Sequence, residues 1–129
     1  MTDIANRVVG VAYLESFCEA FNRHDLDGLM AHMTDDCVFF ASAGPTEDGA
    51  EYRGAQEVRR GFAEVFATFP DGQWEDGRHF LGGDRGLSEW TFRGTRSDGV
   101  RVEVRGCDVF TFRDGKIAIK DSFRKQRSL

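Results

Sequence analysis

Two short turns in the second half of the chain constrain its fold more than any other feature. Asp98-Gly99 and Asp114-Gly115 each separate two runs in which apolar and polar residues alternate. Asp-Gly between alternating runs is a strong signal for a tight β-hairpin, because both turn positions require positive φ angles. With Gly82-Gly83 as a further break, the pattern predicts four consecutive antiparallel strands, over 73–81, 85–96, 100–113 and 116–124.

The first half of the chain has helical periodicity instead. Apolar residues recur at helical spacing in three segments, 4–22, 26–33 and 55–69. Pro70 is expected to end the third helix. Residues 37–41 are predicted to form a strand, followed by a loop over 42–52 that is rich in turn formers. Helices that precede a run of strands indicate an α+β fold, and a chain of 129 residues fits one domain, 1–129.

Composition and charge exclude several classes of partner. The formal net charge of −5 argues against nucleic acid and anionic membranes, because both select a basic surface. Arg124, Lys125 and Arg127 are interpreted as a solvated basic tail. The first residues lack the pattern of a signal peptide, and no stretch is long and apolar enough to cross a bilayer. We therefore expect a cytoplasmic protein that binds neither nucleic acid nor membrane.

The cysteines and histidines do not form a recognisable metal motif. Three widely spaced cysteines match neither a disulfide framework nor a CxxC site. Cys18 and Cys37 are expected to be small buried residues in a reducing compartment. The three histidines have neither HxxxH nor HxH spacing. The sequence therefore predicts no protein-built metal site and no cofactor.

Alternation in the last two strands predicts a pair of facing aspartates. If Asp114-Gly115 closes a two-residue turn, Phe112 lies opposite Ile117, and Asp108 lies opposite Asp121 on the apolar face. Facing Cβ atoms are about 4.5–5.5 Å apart, and two carboxylates that close in an apolar row cannot both ionise cheaply. Asp108 and Asp121 are therefore predicted as a catalytic acid/base pair. A bulge would turn one of them outward, and an inward Asp can also be purely structural.

Aromatic residues at inward positions are predicted to form the walls of an apolar pocket. Large rings of this kind often line a binding cavity. The loop over 42–52 is long enough to cover its mouth. The predicted substrate-binding set is Phe17, Phe40, Trp74, Trp90, Phe92, Phe110 and Phe123.

Four segments together resemble the nuclear transport factor 2-like superfamily, and its SnoaL-like and ketosteroid isomerase-like branch in particular. They are SFCEAFNRHDLDGLMAHMTDDCVF, YRGAQEVRRGFAEVFATFPD, SEWTFRGTRSDG and CDVFTFRDGKI. The resemblance implies a cone, in which a curved sheet wraps around N-terminal helices, with an apolar pocket and a homodimer through the sheet. Asp108 matches the oxyanion-hole Asp of ketosteroid isomerases. The family's Tyr falls on Phe17 and its base on or near Phe40, so steroid isomerisation by that mechanism is not expected.

Two functions from different classes fit these observations. In the first, the chain is a cofactor-independent isomerase, cyclase or hydrolase that uses Asp108 and Asp121 on a small hydrophobic molecule. In the second, it is a non-catalytic domain for hydrophobic ligand binding or dimerisation, and its acids are structural.

Overall fold

The computed structural model describes residues 9–128, which form three helices and one curved six-stranded sheet. The helices are α1 (Val11–Asn22), α2 (Leu26–Ala31) and α3 (Ala55–Thr68). The strands are β1 (Met33–Phe40), β2 (Glu51–Arg53), β3 (Gln73–Gly82), β4 (Arg85–Thr95), β5 (Arg101–Arg113) and β6 (Lys116–Arg124). Their order across the sheet is β2-β1-β6-β5-β4-β3, with β1 parallel to β6 and the other neighbours antiparallel. The predicted α+β fold is confirmed.

Each helix has a local reason to start or stop where it does. α1 follows Gly10, and residues 4–8 of the predicted first helix lie outside the described residues. Asp25 caps α2, because its carboxylate accepts a hydrogen bond from the Gly28 amide at 3.0 Å. α3 begins after Gly54, whose φ of 86° favours glycine, and ends just before Pro70, as predicted.

The four-strand meander is confirmed, including the turn that joins β5 to β6. Asp114 and Gly115 both have positive φ angles, 55° and 75°, and Arg113 pairs with Lys116 across them. Strand β4 alternates cleanly between the two faces of the sheet. Ser88, Trp90 and Phe92 are buried on the face that the helices cover, as predicted. We call this the inner face and the opposite side the outer face.

A one-residue bulge in β6 changes the predicted pairing of the two aspartates. Phe112 pairs with Ile117, as predicted, but the next pair is Thr111 with Ile119. The bulge leaves Ala118 without a partner on β5, and it shifts every later pair by one residue. Asp108 therefore lies opposite Ser122, and Asp121 lies opposite Val109. The prediction that Asp108 and Asp121 face each other is wrong, because the shift turns Asp121 to the outer face.

The core lies between the inner face and the helices, and it is mostly aromatic. Phe17 and Phe21 of α1 pack edge-to-face on each other, and Phe17 also packs on Phe110 of β5. Phe62 of α3 is fully buried and packs on Phe21 and Phe39. A second buried group consists of Phe69, Trp90 and Phe92. None of the helices in the described part of the chain is long and apolar enough to cross a membrane.

Candidate functional site

A buried aspartate at the centre of the inner face is held by three hydrogen-bond donors. Asp108 is only 6% exposed. One carboxylate oxygen accepts from Nε1 of Trp90 at 3.0 Å. The other accepts from Nζ of Lys120 at 3.0 Å and from Oγ of Ser122 at 2.6 Å. The carboxylate is thus fixed by a neighbouring strand on each side, β4 and β6.

Gly106 makes room for the tryptophan that binds Asp108. Trp90 pairs with Gly106 across β4 and β5. A Cβ atom at position 106 would lie 2.6 Å from two ring carbons of Trp90, which is far closer than van der Waals contact allows. The absent side chain lets the indole lie against the β5 backbone, from where Nε1 reaches Asp108.

Lys120 places a charged amine inside the protein. The residue is 4% exposed, and Nζ donates to Ser122 Oγ at 2.7 Å as well as to Asp108. Nζ also lies 4.7 Å from the ring centroid of Phe39 and 4.8 Å from that of Phe21. The salt bridge and these cation–π contacts offset the free energy of removing the ammonium from water. An ammonium has three N–H groups, and two have an oxygen acceptor among residues 9–128.

Lys120 lines two spaces of very different size. The mouth cavity has a volume of about 300 Å³, with Lys120, Ser122 and Arg124 among its polar residues. Its aromatic walls are Phe21, Phe39, Tyr52, Phe69, Trp74 and Trp90. The deeper space beside Asp108 measures only about 10 Å³, and it is lined by Phe17, Phe110 and Lys120 among others. A volume of this order holds about one water molecule, so the space beside Asp108 is too small for a larger ligand.

The predicted aromatic walls divide into three groups. Trp74 and Trp90 line both the mouth cavity and the deeper space, whereas Phe17 and Phe110 line only the deeper space. Phe92 is buried behind the cavity, where it packs on Trp74 and Phe69 with ring centroids 5.0 and 4.8 Å apart.

Phe40 and Phe123 lie on the outer face, so their predicted inward positions are wrong. In β1 the inward residue is Phe39, which pairs with Lys120, and Phe40 pairs with Asp121. Phe123 is 52% exposed because it follows the bulge in β6.

Asp121 lines a depression on the outer face and is separated by the sheet from Asp108. This depression of about 490 Å³ lies between the loop over 41–49 and β4, β5 and β6, and Asp48, Glu89 and Arg105 also line it. Partial burial raises the pKa of Asp121, and the nearby carboxylate of Asp48 raises it further. The two predicted catalytic acids thus belong to different surfaces of the protein.

Three inward residues of β6 were missed from the sequence, namely Lys120, Ser122 and Arg124. They alternate with Asp121 and Phe123, so the bulge that turned those two outward brought these three inward. The interpretation of Arg124 as part of a solvated tail is wrong. Its guanidinium carbon lies 5.1 Å from the ring centroid of Phe92 and 5.5 Å from that of Phe69. Burial lowers the pKa of Arg124.

The cysteine near the site is not an activated nucleophile. Cys18 lines the deeper space, and its thiol lies 3.7 Å from the carbonyl oxygen of Trp74. Burial, with a further contribution from Asp108, raises the pKa of Cys18 to about 11, so the thiol stays protonated at neutral pH. Within residues 9–128, no group of three or more His, Cys, Asp and Glu side chains is placed to hold a metal ion.

Solved structures of several other proteins share this fold. A nuclear transport factor 2-like protein of unknown function from Mesorhizobium loti is 26% identical over 89% of each chain, with a TM-score of 0.72. A candidate polyketide cyclase from Xanthomonas campestris is 19% identical over 88% of each chain, with a TM-score of 0.77. TerC, crystallised with polyporic acid, is 19% identical over 89% of this chain and 90% of its own, with a TM-score of 0.75.

Sequence comparison gives the family directly. No curated protein sequence matches the chain. The profile of the SnoaL-like domain matches residues 14–119, which is most of the sequence. The chain therefore belongs to the SnoaL-like domain family and has the nuclear transport factor 2-like fold.

Proposed function

We propose that this protein binds a small, largely apolar molecule in the mouth cavity and holds one of its oxygen atoms with Lys120. The observation that carries the proposal is the position of buried Lys120, which lines an aromatic cavity of about 300 Å³ and whose Nζ lies over two of the lining rings, Phe39 and Phe21. Cavities of roughly 300–1,000 Å³ suit small ligands, and this one is at the lower end. The ligand is therefore a molecule of about one or two rings.

The chemistry of the ammonium selects an oxygen acceptor. A charged donor in a largely desolvated site makes short and strong hydrogen bonds. The third N–H group of Lys120 has no acceptor within residues 9–128, so it can bind a ligand. A carbonyl, an enolate or a carboxylate oxygen would serve. Ser122 adds a hydroxyl beside the same point, with its Oγ 2.7 Å from Nζ of Lys120.

Asp108 acts in this proposal as a positioning residue. Its carboxylate accepts from both Lys120 and Ser122, so it fixes the two groups that would meet the ligand. Its own surroundings leave a space of only about 10 Å³, which is too small for a substrate. Asp121 takes no part, since it lies on the outer face.

The comparisons support small-molecule binding in general terms. TerC shares the fold and was crystallised with polyporic acid, and the fold also occurs in a candidate polyketide cyclase. Binding of a hydrophobic ligand was one of the two functions expected from the sequence. A homodimer through the sheet and a cytoplasmic location stay predictions.

Turnover is a second candidate function, and the position of Lys120 favours it. A fixed cation beside a carbonyl oxygen stabilises the negative charge that develops when a neighbouring carbon loses a proton. Isomerisation and cyclisation through an enolate share this charge development. The structure supplies the electrophilic half of such chemistry in Lys120.

Titration with 2-acetonaphthone, an aryl ketone, tests the binding site. The chain contains two tryptophans, and both line the mouth cavity, so quenching of their fluorescence reports occupancy. We expect the wild-type protein to bind the ketone. Lys120→Met combined with Asp108→Asn should weaken binding about tenfold or more, because it removes a charged hydrogen bond without leaving a buried acid unpaired.

Lys116→Met is the matched control, because Lys116 is an exposed lysine at the start of the same strand. This variant should bind the ketone as the wild type does. Equal affinity of the double variant and the wild type would show that Lys120 does not hold the ligand oxygen. Absence of quenching in all three proteins would show that the cavity takes no apolar ligand.

A further inference from the structure

A second cation at the mouth cavity has no acidic partner in the described part of the chain. Arg124 lines the cavity beside Phe69, and its guanidinium lies over the rings of Phe69 and Phe92. Burial is the cause of its lowered pKa, with no contribution from an acidic group. No carboxylate of residues 9–128 forms an ion pair with it, whereas Arg93, Arg101 and Arg113 of the outer face each have one. The cation is therefore available to a ligand.

The charged residues around the mouth cavity differ in whether they have an ion-pair partner. Lys120 is neutralised by Asp108, 3.0 Å away. Glu64 at the rim accepts from the Tyr52 hydroxyl at 3.0 Å and forms an ion pair with Arg60 at 3.4 Å. Arg60 also pairs with Glu57, at 2.7 Å, whereas Arg124 has no ion-pair partner among residues 9–128, so Arg124 is the cation of this cavity that is open to an anionic ligand.

Arg124 and Lys120 lie at opposite ends of a row of three inward residues on β6. Lys120, Ser122 and Arg124 are alternate residues on the inner face of β6, so the backbones of the first and last are roughly 13 Å apart at about 3.3 Å per residue. Both residues line the same cavity. A planar guanidinium donates two parallel hydrogen bonds that match a carboxylate, which a single ammonium cannot do.

We propose that the ligand of the mouth cavity is a carboxylic acid whose carboxylate binds Arg124 and whose second oxygen binds Lys120. This inference rests on the proposed function and adds the charge of the ligand and the residue that recognises it. The apolar body lies between the two polar ends, against Trp74 and Trp90. A ligand of this class carries an oxygen at each end of a ring system.

Calorimetric titration with 6-acetyl-2-naphthoate and its primary amide tests the inference. The two probes share a ketone and a ring system and differ in the charge at the far end. We expect the wild-type protein to bind the acid at least tenfold more tightly than the amide. Arg124→Gln should abolish this preference, so that the variant binds the acid and the amide with equal affinity. Arg124→Lys should keep part of the preference, because it keeps the charge without the planar fork.

Lys125→Gln is the control for net charge, since it removes one positive charge next in sequence, outside the lining of the mouth cavity. It should keep the full preference for the acid. A preference that survives in Arg124→Gln overturns the assignment of Arg124. Equal affinity of the wild type for acid and amide overturns the ligand class, while binding of the amide keeps the proposed function. If neither probe binds, both proposals fail.

Discussion

The two faces of the sheet carry ion pairs of the same chemistry in opposite surroundings. On the inner face, the side chains of Lys120 and Asp108 are 5% and 9% exposed. On the outer face, Arg93 bonds to Glu75 and Glu103 with side chains that are 36% to 49% exposed. Water already solvates the outer charges, whereas the inner charges depend on each other. Burial therefore decides how much each pair matters to the fold.

Because of this difference, loss of one partner costs much more stability in the inner pair than in an outer pair. Removing one partner of a buried pair leaves a charge that water cannot reach. Removing one partner of an exposed pair returns the other to solvent at little cost. The inner pair also orients Ser122, so its loss would affect both stability and the candidate site.

Among the variants that test this contrast, Lys120→Met should cause the largest loss of stability. The substitution conserves volume approximately but leaves Asp108 buried without a cation, which destabilises a protein by about 3–5 kcal/mol. Domains of this kind are stable by only about 5–15 kcal/mol, so the loss is a large fraction of the total. Urea denaturation followed by far-UV circular dichroism measures it.

Two further variants test whether the loss of stability comes from the unpaired buried charge. Arg93→Met on the outer face should leave the urea midpoint within experimental scatter. Addition of Asp108→Asn to Lys120→Met should restore much of the lost stability, because neither residue of the pair is then charged. Equal losses for Lys120→Met and Arg93→Met would contradict the contrast between the faces.

Gly106→Ala tests the packing that holds the inner network. The new Cβ would lie 2.6 Å from ring carbons of Trp90 and would also meet the Phe123 carbonyl oxygen. Overpacking of this kind typically destabilises by about 1–3 kcal/mol. Displacement of the indole should also change the near-ultraviolet circular dichroism. Gly82→Ala is the control, since nothing lies within 4 Å of a Cβ there, and it should lose no stability.

Most of the fold could be predicted from the sequence because local rules determine it. Asp114 and Gly115 form the expected tight turn, and Pro70 ends α3. The alternation in β4 predicted that Ser88, Trp90 and Phe92 are buried. Turn chemistry and binary patterning act over a few residues, so the fold class and the order of elements followed from them.

The candidate site was only partly predictable, because a single bulge depends on tertiary contacts. Asp108 and Trp90 were identified correctly as inward residues. In β6, Ile117, Ile119 and Phe123 formed an apolar row that favoured the regular register. The structure places Lys120 opposite Phe39 of β1 and beside Asp108 instead. The observed register pairs the buried Asp108 with a lysine and avoids two facing carboxylates in the core. That preference depends on tertiary contacts, so it could not be read from the alternation of residues within β6.

Asp121→Asn gives the smallest expected effect and reports on the outer face. The pKa of Asp121 is raised in the folded protein, so folding favours its neutral form. Neutral Asp121 therefore contributes to the stability of the folded protein at pH values below the ordinary carboxyl pKa. That contribution is lost as the pH rises through the raised pKa that Asp121 has in the folded protein. The Asn variant should be slightly more stable than the wild type at pH 7 and lose that advantage near pH 3, as measured by thermal unfolding. Asp35→Asn, at an exposed position of β1, should show no such pH-dependent gain in stability. A gain of equal size in that variant would mean that the Asp121 effect comes from the change in net charge.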